Sequence, residues 1–95
     1  MISKTKISKI VEVFSSLKND GEVQDFIQGI FTEKELNEIV QRLEIVKALH
    51  EGVPHHDIAK KLGVGVATVT RGSKEIKKGR FSYLLNSSWR LNRSK

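Results

Sequence analysis

Ala67, Thr68, Thr70 and Arg71 stand close together in the run VATVTRGSKEIKK, and Lys74 and Lys77 follow them within two helical turns. None of these side chains is a ready nucleophile. Together they form a small, methyl-bearing and hydroxyl-bearing set beside a guanidinium and two ammonium groups. Such a set suits close approach to base edges and phosphates in a DNA major groove. On an ordinary amphipathic hairpin, Thr68 and Thr70 would simply be solvated. The distribution of charge favours DNA.

The net charge is +6. Residues 71–95 hold eight lysines and arginines against one acid, Glu75, while the first seventy residues carry nine basic and ten acidic side chains. A near-neutral body with its excess positive charge behind one short helix is what a polyanion-binding surface requires. A solubilising basic tail accounts for part of the last six residues, but not for charges on the helix itself.

Two short helices must position these side chains, and the stretch Pro54 to Lys78 supplies them. Ile58, Ala59 and Leu62 form an apolar stripe, and Pro54 fits the opening turn, where its missing N–H costs nothing. Gly63 stops the first helix, Val64 and Gly65 carry the chain round, and the second helix begins near Val66. Its inward positions are Val66, Val69 and Ile76. Val66, at its head, also counts in the DNA-contacting set. Ala59, four residues before Gly63, lets the helices approach closely, as a helix-turn-helix requires.

Upstream, Ile7, Ile10, Val11, Phe14 and Leu17 mark a first helix, and Val23, Phe26, Ile27 and Ile30 a second. Both stripes are broad enough to be core, inside their own subunit or against another. Thr32 with Glu35 reads as a capping box for a third helix, with Phe31 and Leu36 placed as a hydrophobic staple. Its face is Leu36, Ile39, Val40, Leu43, Val46 and Leu49, and Gly52 ends it. Arg42 and Glu44 lie off that face, Glu44 in solvent. After Gly79, the residues Phe81, Tyr83, Leu84 and Leu85 predict a short last helix reaching toward Trp89.

These signals make an all-α chain of about six helices in a single 95-residue domain. Residues 1–31 are its N-terminal helices, 32–52 its central helix, 54–78 its helix-turn-helix and 79–95 a short helix with a basic tail. A chain this short buries a modest fraction of its surface without a partner. The absence of cysteine fits a reducing cytoplasm. No apolar run approaches a membrane span, and MISKTKISKI is too short in apolar core for a secretory signal. A metal site on His50, His55 and His56 would lack acidic or thiol partners beyond Asp57. Without an activated nucleophile, phosphate loop or carboxylate pair, the chain does not read as an enzyme.

The segment from Phe31 to Lys77 resembles the Trp repressor family, including its relatives of unassigned ligand. FTEKELNEIVQRLEIVKALHEG and LGVGVATVTRGSKEIKK carry the resemblance, and VATVTRGS is its most specific part. The resemblance implies an intertwined all-helical homodimer that places two helix-turn-helix units in successive major grooves of a palindromic operator. It also implies L-tryptophan as corepressor, lodged between the central and reading helices, so that ligand and DNA favour the same state.

In that resemblance Arg71 pairs with the ligand carboxylate and stacks on the indole, and Arg42 covers the other indole face. Ile45 falls in the apolar wall, Gly72 leaves room for the ring, and Thr32 with the backbone around Phe31 receives the amino group from the dimer partner. His55 and His56 fall where the first motif helix meets phosphates. Between Gly52 and Gly63 the chain is one residue shorter than the best-known repressor. Glu75 replaces a serine near the ligand amino group. Its carboxylate either binds the ammonium or pairs with Arg71 and closes the pocket. Two other readings stay open: a ligand-independent dimeric regulator with Glu75 filling the site, and a helical protein-interaction module using the N-terminal stripes.

Overall fold

The computed structural model describes residues 2–87. It is all-helical, with no strand among the described residues. Its six helices are α1 (Lys4–Ser16), α2 (Asp20–Ile30), α3 (Glu33–His50), α4 (His55–Leu62), α5 (Val66–Lys77) and α6 (Ser82–Leu85). The chain divides into two compact units, Met1–Leu36 and Asn37–Lys95.

In the first unit, local hydrogen bonds set the helix ends. Ser3 Oγ accepts the Lys6 N–H at the start of α1. At the start of α2, Asn19 Oδ1 accepts the Glu22 N–H at 2.9 Å while Glu22 Oε1 accepts the Lys18 N–H at 2.8 Å. The capping box that opens α3 is complete: Thr32 Oγ1 accepts the Glu35 N–H at 3.1 Å and Glu35 Oε1 accepts the Thr32 N–H at 2.9 Å. Phe14 and Phe26 meet edge to face with ring centroids 5.2 Å apart. Yet neither α1 nor α2 holds a buried residue, and Ile10 and Val11 stay about half exposed. Leu17, Val23, Phe26 and Ile27 are half-buried, and the rest of these stripes is exposed. Two short amphipathic helices have too little facing surface to enclose both stripes.

The core lies in the second unit. Ile45, Ile58, Ala59 and Val69 are buried together, with Ala48, Leu49, Val53, Leu62 and Val64 packed around them. The small side chain of Ala59 permits the close crossing of α4 and α5. Gly63 closes α4 at φ 69°, and its N–H and that of Val64 both return to the Ala59 carbonyl. An L side chain is strained in that conformation, so glycine makes the turn possible. A similar device ends α5. Gly79 at φ 92° lets its own N–H reach the Ile76 carbonyl and the Arg80 N–H reach the Glu75 carbonyl. The chain doubles back, and Arg80 is carried alongside Glu75.

Three positions depart from the periodic reading. Val40, on the stripe of α3, is half exposed. Val66, in the first turn of α5, is 37% exposed and not inward. Phe81 caps α6 in left-handed conformation at φ 67° instead of belonging to it. The last helix is four residues long, and Trp89 lies outside the described residues.

Candidate nucleic-acid interface

The reading helix is held by one side chain above all. Val69 is fully buried against the α3 and α4 residues Ile45, Ile58 and Ala59. Removing this much apolar surface from water stabilises the packing by roughly 1.5–3 kcal/mol per side chain. With Val69 and the half-buried Gly72, Ser73 and Ile76 turned inward, the opposite side of α5 is fixed.

At 3.6 residues per turn, Ala67, Arg71, Lys74 and Lys78 fall on one outward stripe, and all four are exposed. Thr68 and Glu75 lie along one edge, Thr70 and Lys77 along the other. Thr68 and Lys77 are exposed, while Thr70 is half-buried. Of the expected DNA-facing set on this helix, Val66, Ala67, Thr68, Arg71, Lys74 and Lys77 are exposed, and Thr70 is half-buried at its edge. On α4, His56 is exposed and His55 half-buried in the first turn. Gly65 caps α5 without a side-chain hydrogen bond, and its carbonyl accepts the Thr68 and Val69 N–H groups at 3.1 and 3.4 Å.

Of the residues expected to hold a ligand, Ile45 and Gly72 meet in the second unit. Arg42 and Arg71 are exposed, and neither takes part in an ion pair among the described residues. Ile45 is 2% exposed and belongs to the core of the second unit. Gly72 does not open a space there. A β-carbon at this position would lie 3.3 Å from Ile45 Cγ2 and 3.5 Å from Leu49 Cδ1, so the glycine serves helix packing. Thr32 belongs to the first unit, where its hydroxyl caps α3.

Among the described residues Glu75 does not pair with Arg71. Its carboxylate accepts from Lys78 Nζ at 3.1 Å and from Arg80 Nε at 3.4 Å. The Lys78 hydrogen bond, ahead of the nearby positive charges, holds its pKa below the ordinary carboxylate value. The reading of Glu75 as filling the site toward Arg71 is corrected accordingly. Arg71 stands one turn N-terminal to it, and a Glu-to-Lys order along the helix is favoured over the reverse.

Sequence reasoning passed over two features. Lys78 continues the outward stripe eleven residues after Ala67, a spacing readable from the helical period alone. Glu44, expected in solvent, is half-buried on a groove with Ala48, Val53 and Leu62, at whose rim Lys47 Nζ and Glu51 Oε2 pair at 2.6 Å. Among the described residues no group of His, Asp and Glu is arranged to hold a metal ion, and no helix is long and apolar enough to cross a membrane.

Fold and surface together define an all-helical protein with a helix-turn-helix whose second helix presents a basic outer face. The family model described as Trp repressor protein matches residues 5–86, and the chain belongs to the Trp repressor family. That family is one of DNA-binding transcriptional repressors, not of enzymes. Neither the curated proteins nor the solved structures contain a match to the chain.

Proposed function

We propose that the protein binds a palindromic operator as a homodimer and represses transcription, with L-tryptophan as a corepressor that raises its affinity for DNA. The observation that carries the DNA part is the outward stripe of α5, mounted through the buried Val69, whose Arg71 and Lys74 are exposed and in no ion pair among the described residues. The uncovered apolar faces of α1 and α2 support the dimer, since a second copy supplies the surface that the single chain lacks. Family membership and the two unpaired arginines, Arg42 and Arg71, support the ligand. Its place of action is the cytoplasm, with the DNA.

One observation favours a ligand-independent repressor instead: the Ile45 and Leu49 side chains stand against Gly72, where the ring of a ligand would need room. Calorimetric titration with L-tryptophan, with L-tyrosine as control, decides between the two. Heat saturating near one ligand per subunit, with tighter duplex binding in its presence, supports the corepressor. No heat and an unchanged melting temperature leave a constitutive DNA-binding dimer. Duplex binding that is flat with salt, or absent, would instead point to the protein-interaction module, because displaced counterions make phosphate binding steeply salt-dependent.

A further inference from the structure

Glu75 is the only acid between Arg71 and Lys95. Its helical position puts it one turn after Arg71 and beside Lys74, the two cations of the reading end. Its carboxylate turns the other way, to Lys78 at 3.1 Å and Arg80 at 3.4 Å. The Arg80 backbone is tied to the same residue, since its N–H donates to the Glu75 carbonyl at 3.1 Å. One residue thus holds Arg80 by both its main chain and its side chain. The cations on and just after α5 fall into two groups: Arg71, Lys74 and Lys77 take part in no ion pair among the described residues, whereas Lys78, the C-cap on the outward stripe, is paired together with Arg80.

We propose that Glu75 is a specificity-determining counter-charge, whose carboxylate withholds Lys78 and Arg80 from DNA phosphates and so concentrates the affinity of α5 on its reading end. This rests on the DNA-binding reading above. Phosphate contacts carry no sequence information and supply most of the affinity for random DNA. A basic stripe running the full length of α5 would grip any duplex. Withholding Lys78 and Arg80 lowers that background while leaving Ala67 and Thr68 free to meet bases. The pairing also satisfies the end of the helix, where an acid alone opposes the helix dipole. A purely structural role for Glu75 would therefore show in stability and not in salt dependence.

The test compares the full chain with its Glu75→Gln variant by fluorescence anisotropy on a random-sequence duplex across a salt series, without tryptophan. Glu75→Ala repeats it without the amide. The expected result is tighter random-duplex binding, with a log–log salt slope steeper by about 0.9 for each additional phosphate that the freed cations neutralise. In a Lys78→Ala/Arg80→Ala background, Glu75→Gln should no longer steepen the slope. An unchanged slope in Glu75→Gln, or a steepening that persists in that background, overturns the proposal while the repressor reading stands. If the unaltered chain binds no duplex at any salt concentration, the repressor reading fails and takes this one with it.

Discussion

Gly72 of α5 meets Ile45 of α3 at a distance that only glycine fills without adjustment, since a β-carbon there would lie 3.3 Å from Ile45 Cγ2. The approach sets how closely the reading helix can lie to the central one. Gly72→Val should lower the unfolding free energy by about 1–3 kcal/mol through overpacking. Gly72→Ala should cost less, because the gain in helix propensity, up to about 1 kcal/mol, offsets the crowding. Urea denaturation of both variants checks the order, and equal stability for Gly72→Val and the parent would refute the packing role.

The mounting of α5 depends on Ile58 and Val69, which are 1% and 0% exposed. Ile58→Ala should destabilise the protein by about 2–5 kcal/mol, the range for a large-to-small change in a core. Duplex affinity should fall along with the folded fraction. A loss well under 1 kcal/mol in a urea titration would mean that the core has been misassigned.

Arg71 and Thr68 are both exposed on the reading side but should act differently. Arg71→Ala is expected to weaken binding to every duplex and to flatten the log–log salt slope by about 0.9 for each phosphate that its guanidinium had neutralised. Thr68→Ala should leave the slope intact and relax sequence preference, within the roughly 1–3 kcal/mol that a good base interaction contributes. Anisotropy on a random and a selected palindromic duplex separates the two, and identical profiles for the variants would contradict the assignment.

The Thr32 hydroxyl caps α3, so Thr32→Ala should cost about 1 kcal/mol and Thr32→Ser much less. Because the same residue is expected near the ligand amino group, the serine variant isolates the two roles. Thermal melts report the cap, and calorimetry with L-tryptophan reports the ligand.

Glu51 and Glu75 each titrate below the ordinary carboxylate value of 4.5, through hydrogen bonds from Lys47 and Lys78 respectively. A carboxylate with a depressed pKa in the folded state stabilises that state above its unfolded pKa, and the contribution disappears as the pH falls through the folded value. Glu51 is exposed and Glu75 about a third accessible, so solvent screening keeps the effect small. The melting-temperature gap between the parent and a Glu51→Gln or Glu75→Gln variant should be widest at neutral pH and should close below 4.5. A gap that widens in acid would reverse the sign and exclude these pairs as its source.

What the sequence determined by itself was local. Helix caps such as the Thr32 and Glu35 pair depend on residues three apart, and the stop at Gly63 follows from a conformation that only glycine adopts freely, so both were legible. The burial of Ile58 and Val69 was legible too, since helical period and a small residue at Ala59 suffice to define a helix-turn-helix. Period says which side of a helix is apolar, though not what covers it. Only the tertiary structure decided that no residue of α1 or α2 is fully buried, that Val66 is exposed, and that Glu44 lies half-buried at a groove. The same holds for Gly72, whose neighbours Ile45 and Leu49 belong to a helix more than twenty residues away. Glu75 shows the reason most directly. Cations lie near it in both directions along α5, and the choice among them fell to the turn at Gly79, which folds Arg80 back onto its carboxylate.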